Sequence, residues 1–185
     1  MKYLIASDLH GSSHFIKKLK ERFIIHNCDQ LILLGDLLYH GPRNSLPTDY
    51  DTIESANILN SLKEYIVVVR GNCDANVDQN MLEFSIKENN MLIIDNNITM
   101  YLTHGDVYNT SNLPPISNMD ILIHGHTHIP IVEEIGENKF YINPGSVSIP
   151  KGGSINSYII YENGEFTWYD IEGNKYKDFK FNKYV

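Results

Sequence analysis

Only two cysteines, Cys28 and Cys73, occur among the 185 residues of the chain. Two thiols cannot build a disulfide framework, so stability must come from a buried core, which a chain of this length can form. Long apolar runs are missing as well. The opening "MKYLIASDLHG" has one lysine and an apolar run that breaks at polar residues, too short for a signal-peptide core or a membrane span. A cytoplasmic protein with no membrane attachment is the expectation. Basic residues are scarce: 15 Lys and Arg stand against 23 Asp and Glu, a formal net charge of −8. That balance argues against strong nucleic-acid binding, which needs clustered Lys and Arg to neutralise phosphates. A small anionic substrate stays compatible, provided something other than side chains makes its site positive. No linker, repeat or low-complexity tract divides the chain, and one domain over residues 1–185 is expected.

What is present has a clear order. "KYLIA" (2–6), "QLILLGD" (30–36) and "EYIVVVRGN" (64–72) are apolar runs of strand length. Between them, residues 13–26 place Phe15, Ile16, Leu19, Phe23 and Ile24 at helical spacing, and residues 51–63 do so with Ile53, Ala56, Ile58, Leu59 and Leu62. Strand–helix–strand order predicts parallel pairing through right-handed crossovers. The second half is β-rich. "MLIIDNNITMYLTHG" predicts two strands about Asn96-Asn97, and "MDILIHG" (119–125) another strand. "IPIVEEIGENKFYINPG" and "NSYIIYENGEFTWYDI" predict hairpins with Gly136 and Gly164 at their turns. The expected fold is α/β, two packed mixed β-sheets flanked by helices. Trp168, Tyr169, Tyr176, Phe179, Phe181 and Tyr184 make the tail a candidate edge strand or an interface in a homo-oligomer.

The chemistry sits where strands end. Asp8 and His10 close the first strand ("SDLHG"), Asp36 the second ("LGDLL") and Asn72 the third ("RGNCD"). His104 closes a later one ("LTHGD"), and His126 and His128 follow another ("GHTH"). In open α/β sheets, ligands bind beyond the carboxyl ends of strands, so side chains delivered there can meet at one point. One such residue alone reads as a turn, a helix cap or a hydrogen-bonded core histidine; seven at five strand ends read as a site. Two carboxylates, one amide oxygen and four imidazoles suit Mn²⁺, Fe²⁺, Zn²⁺, Ni²⁺ or Co²⁺. Seven ligands are too many for one ion and fit two if a carboxylate bridges. Two divalent cations against two aspartates leave a charge of about +2 for a hydroxide and an anionic substrate.

These blocks, in this order, resemble the calcineurin-like metallophosphoesterases, whose pattern runs D-x-H, GD, GN, H, GHxH. A branch of small bacterial phosphodiesterases is more similar still, sharing "HGPRN" (40–44), "RGNCD" (70–74), "NLP" (112–114) and "NPGSVSIPKGG" (143–153). The resemblance spans Asp8 to Gly153. It implies a first metal held by Asp8, His10, Asp36 and His128, and a second held by Asp36, Asn72, His104 and His126, with Asp36 bridging. It also implies that Mn²⁺ is the metal to expect. The implied reaction is hydrolysis of a small phosphodiester by in-line attack of a metal-held hydroxide, with Asp8, His10, Asp36, Asn72, Cys73 and His104 as the catalytic set.

Cys73 stands where many family members carry histidine, which is thought to assist the leaving group. A thiol near pKa 8.5 is a poorer proton donor than an imidazolium, so esters with good leaving groups should react best. His40 and Arg43 are the candidates for binding substrate, Arg43 as a fork for phosphate oxygens; Arg43 could equally brace its loop. Asp106 and Asp120 could orient the ligand imidazoles or be turn residues. Arg70 reads as structural, His14 and His26 as surface residues, and His124 as core or a support for the site. A phosphomonoesterase of the same family, or a metal-binding interaction scaffold without hydrolase activity, would carry similar blocks.

Overall fold

The computed structural model describes residues 1–182. Among the described residues, eleven strands form two mixed sheets packed face to face, and two α-helices flank them. The six-stranded sheet contains β1 (Lys2–Ala6), β2 (Gln30–Leu33), β3 (Ile66–Val68), β9 (Ser157–Glu162), β10 (Glu165–Asp170) and β11 (Lys175–Lys180), in the order β11-β10-β9-β1-β2-β3. The five-stranded sheet contains β4 (Asn90–Asp95), β5 (Ile98–Thr103), β6 (Ile121–Ile123), β7 (Ile131–Gly136) and β8 (Lys139–Asn143), in the order β4-β5-β6-β8-β7. β1, β2 and β3 pair in parallel, as do β5, β6 and β8; the flanking strands are antiparallel.

Alternation explains why the central strands are apolar throughout. In β1, Leu4 and Ala6 face the helices while Tyr3 and Ile5 face the other sheet; Leu31 and Leu33 divide from Ile32 in the same way. Both faces are buried, so the run has no polar phase. α1 (Ser13–Ile25) starts at Ser12, whose side chain accepts the Phe15 N–H, and α2 (Thr52–Asn60) starts at Asp51, which accepts the Glu54 N–H. Both helices pack on the outer face of the six-stranded sheet. The opposite outer face carries a smaller apolar cluster, Tyr101, Met119 and Leu122, with Tyr108 and Ile116 of the loop after β5 packed against it.

Several expectations shift in detail. Ile24 and Ile53, counted in the helical stripes, are exposed, because each helix buries a narrower face centred on Ile16, Leu19 and Phe23 or on Ala56 and Leu59. The third strand is three residues long, preceded by a 3₁₀ turn at Lys63–Tyr65. Asn96 and Asn97 both take positive φ in a two-residue hairpin loop, the geometry of a type I′ turn. Gly136 pairs with Lys139 as the last residue of β7, so the turn itself is Glu137-Asn138. His26 is half-buried rather than a surface residue: it caps α1, and its Nε2 lies 2.9 Å from the Tyr158 hydroxyl. The tail forms the edge strand β11, yet Trp168 is fully buried and Phe181 joins it between the sheets. Those aromatics fill the core; Tyr184 lies outside the described residues.

Candidate metal centre

All seven strand-end side chains converge at one end of the sandwich. Asp8, His10, Asp36 and Asn72 follow β1, β2 and β3 of one sheet; His104, His126 and His128 follow β5 and β6 of the other. The backbone is unusual there. Asp8 (φ 57°), His10 (47°), Asp36 (56°), His126 (65°) and His128 (61°) all adopt the left-handed region, which costs a non-glycine residue about 1–2 kcal/mol. Such strain persists only where the surroundings enforce it.

The enforcement is visible in the hydrogen bonds. Gly35 O accepts the Asp8 N–H and Asp36 O the His10 N–H, locking the first two strand ends together. Asp74, buried behind them, accepts the N–H groups of Asp36, Leu37 and Gly71 at 2.7–2.9 Å. Burial raises the Asp74 carboxyl above the usual range despite these bonds. Ser146 and Ser148 donate their hydroxyls to Asp8 O, at 2.8 and 3.1 Å, and Asn143 donates to Gly125 O. Glycine is required where these loops touch: a Cβ on Gly125 would lie 1.8 Å from Ser7 Oγ, and one on Gly71 would lie 2.2 Å from Asp36 Oδ1.

Each of three ligand imidazoles is fixed by a backbone carbonyl. His10 Nδ1 lies 2.8 Å from Tyr39 O, His104 Nδ1 2.7 Å from Leu34 O and His128 Nδ1 2.6 Å from Ile149 O. A carbonyl only accepts, so Nδ1 carries the proton and the Nε2 lone pair points into the site. These lone pairs meet other acceptors. His10 Nε2 is 3.3 Å from His128 Nε2, and Asp8 Oδ1 is 3.3 Å from the latter. Asp8 Oδ1 is buried and receives no hydrogen bond. His10 Nε2 is also 3.7 Å from Asp36 Oδ2, while Asp36 Oδ1 turns to His104 Nε2 at 3.5 Å. His104 Nε2 in turn is 2.9 Å from Asn72 Oδ1 and 3.2 Å from His126 Nδ1. Asp8, His10 and His128, and Asp8, Asp36 and His104, form groups whose donor atoms lie within 4.8 Å of one another, an arrangement able to hold a metal ion.

Electrostatics favour the ligating form at Asp8, His10 and His126, and not at His104. Burial alone would raise Asp8, but the His128 ring against it and the positive charge that His104, His128 and His10 carry when protonated hold its carboxyl well below the usual range. Burial keeps His10 and His126 below the ordinary histidine value, the neutral form that ligates. His104 is raised, because the Asp8 and Asp36 carboxylates outweigh its burial. Cys73 Sγ lies within 4.8 Å of donor atoms of His10 and Asp36. Burial, then the Asp36 carboxylate, push its thiol up to about 12.

A cavity of about 350 Å³ opens over the cluster, walled by Asp36, Asn72, Cys73, His126 and His128 and rimmed by Arg43 and Lys151. Arg43 is exposed; the bracing of its loop falls to Asn44, which donates to His40 O at 2.8 Å. His40 stands apart from the cavity walls, its ring edge-on to Tyr39 and Tyr50. Asp106 is exposed, and Asp120 accepts the Thr99 N–H; backbone carbonyls orient three of the four imidazoles. Arg70 is structural, donating twice to Asp74 O. His124 stacks on Tyr141 behind the site with ring centroids 4.2 Å apart. Lys151 and Asp74 were not singled out from sequence, although "NPGSVSIPKGG" and "RGNCD" contain them.

A fold of two sheets with ligands gathered at strand ends defines a metallophosphoesterase, and the chain belongs to the calcineurin-like phosphoesterase superfamily, whose domain model matches residues 1–165. It is 43% identical over 163 residues to the phosphodiesterase YfcE of Escherichia coli K12, covering 88% of each chain. It is 27% identical over 189 residues to the probable metallophosphoesterase YsnB of Bacillus subtilis, covering 96% of each. The solved structure of E. coli YfcE superposes with a TM-score of 0.93 at 37% identity, covering 98% of this chain and 100% of that one.

Proposed function

We propose that this chain is a metal-dependent phosphodiesterase acting on a small phosphodiester at a centre built for two divalent cations. The observation that carries the reading is the placement of Asp36, whose two carboxylate oxygens face two separate groups of acceptors. Asp8, His10, Asp36 and His128 would hold the first cation, and Asp36, Asn72, His104 and His126 the second. Mn²⁺ is the favoured metal, with Fe²⁺, Zn²⁺, Ni²⁺ and Co²⁺ also suited to the ligand set. Such cations supply an acidified water and neutralise charge on the attacking and leaving oxygens.

The residues of the chain do the rest. Three carbonyl-tethered imidazoles keep their lone pairs aimed before any ligand arrives, so little reorganisation remains. Arg43 and Lys151 on the rim bind the non-bridging phosphate oxygens, Arg43 as a fork and Lys151 as a point charge. Cys73 lines the cavity as a protonated thiol and donates weakly to a departing oxygen. Aryl phosphodiesters should therefore be cleaved far faster than dialkyl ones, and equal rates would refute the assigned part of Cys73. The two free cysteines fit a reducing compartment, and we read the enzyme as cytoplasmic. Elemental analysis should find two equivalents of metal per chain, and Mn²⁺-loaded protein should hydrolyse bis-p-nitrophenyl phosphate. Two bound metals without hydrolysis would favour the interaction-scaffold reading instead.

A further inference from the structure

The cavity over the centre has a neighbour of different character. Sharing Cys73 with it is a recess of about 280 Å³ walled mainly by Leu38, Tyr39, Tyr50, Val77 and Met81, with Thr52 and Asp78 as its polar lining. Cys73 lines both spaces, and its sulfur lies within 4.8 Å of His10 and Asp36 donor atoms. Cys73 is thus a wall common to the recess and to the cavity over the centre. Tyr39 and Val77 are 40% and 66% exposed, large apolar groups held at the surface beside an otherwise polar site. Apolar side chains left at the mouth of a cavity mark a surface that gains from being covered.

We propose that this recess is the subsite for an aryl or similarly flat apolar ester arm of the substrate. The inference rests on the phosphodiesterase reading above and names the substrate class it takes. The size fits, since a cavity of about 150 Å³ suffices for benzene. The walls are keyed to the centre: Tyr39 O receives the His10 Nδ1 hydrogen bond, so the backbone of the recess and a ligand imidazole are fixed together. His40 wedges its ring edge-on between Tyr39 and Tyr50, at 4.8 and 5.2 Å between centroids, which gives this residue a buttressing part in the site. Val77 sits on the 3₁₀ turn Asn76–Asn80, pinned by the Ala75 N–H to Asp78 at 2.8 Å. The other recess adjoining the centre, reached past Asn72, is lined by polar side chains that include Arg70, Asn89 and Asn90. An apolar arm is therefore directed to the Cys73 side.

The test is calorimetric titration of Mn²⁺-loaded protein with inorganic phosphate, methylphosphonate and phenylphosphonate, none of which carries an ester to cleave. Phenylphosphonate should bind about tenfold more tightly than methylphosphonate, as partial burial of one ring provides. Val77→Asp should bring that ratio to about one. Val77→Ser, which introduces no charge, should lower it severalfold, and Tyr39→Ala should do the same. Equal binding of the two phosphonates to the wild-type protein would overturn the subsite, as would a ratio indifferent to all three variants. Phosphate binding without a phenyl preference overturns the recess alone. Absence of binding by all three anions overturns the phosphodiesterase reading and the recess with it.

Discussion

Two sets of residues in this molecule share one backbone conformation for opposite reasons. Among the described residues, eleven non-glycine residues have positive φ. Six of them, Asn27, Asp49, Asn96, Asn97, Asn138 and Asn163, lie in turns and loops and are all Asn or Asp, the residues that tolerate the left-handed region best. The other five are candidate metal ligands, two aspartates and three histidines, gathered at the strand ends of one site. The turns choose the residue to suit the backbone. The site bends the backbone to suit the residue, and the serines, glycines and Asp74 behind it hold the bend. Strain of this second kind is an expected signature of a site whose geometry must exist before its ligand does.

The comparison can be broken most severely at its centre. Asp36→Asn removes the charge shared by the two acceptor groups, and activity on bis-p-nitrophenyl phosphate should fall on the order of 10³-fold, a loss typical of removing a preorganised charge-stabilising group. Retained activity would show that Asp36 does not bridge. Removing a support should cost less. Ser146→Ala leaves every ligand in place but deletes a hydroxyl that donates to Asp8 O and accepts the Ile149 N–H. Its metal affinity should fall about 10–100-fold by equilibrium dialysis, the range for supports of metal ligands.

His124 supplies a control within the same short stretch, buried but with ordinary backbone. Burial lowers it to about 4, below its unfolded value near 6.5. The unfolded chain therefore takes the proton first as pH falls. The contribution of His124 is complete above about pH 6.5 and is lost as pH drops toward 4, on the order of 3 kcal/mol in metal-free protein. His124→Phe keeps the stacking on Tyr141 and should flatten that slope in urea melts; an unchanged slope assigns the titration elsewhere. The smallest effect separates the two kinds of turn directly. His126→Gly should raise metal-free stability by about 1 kcal/mol, because it relieves left-handed strain. Asn163→Gly in the hairpin should change it by a few tenths, since Asn is already suited there. Equal shifts would erase the distinction.

The candidate ligands were legible in sequence because strand ends advertise themselves: an apolar run stops, and Asp, His or Asn appears beside glycine. The hairpin at Asn96-Asn97 was legible for the same local reason. Less could be read where the deciding partner is distant. Nothing local says that Asp74 will accept three N–H groups from two loops, or that the carbonyls of Leu34, Tyr39 and Ile149 will orient three imidazoles. His26 looked superficial because helical spacing does not reveal Tyr158, which is 132 residues away. Ile24 and Ile53 satisfied the helical period, and only the width of the face against the sheet decided that they stay in water.

The division of the ligands between the sheets has a mechanical consequence. Four come from the part of the chain ending at Asn72, and three from residues 104–128 on the opposing layer. A cation seated there would be a clasp across the sandwich. Loading at a hundred times Kd would add about 2.7 kcal/mol per site against unfolding, and that force would act along the seam between the layers. Chelation should therefore loosen the seam before it loosens either sheet, with amide exchange rising first in the loops after β3 and β6 while β1 and β2 stay protected.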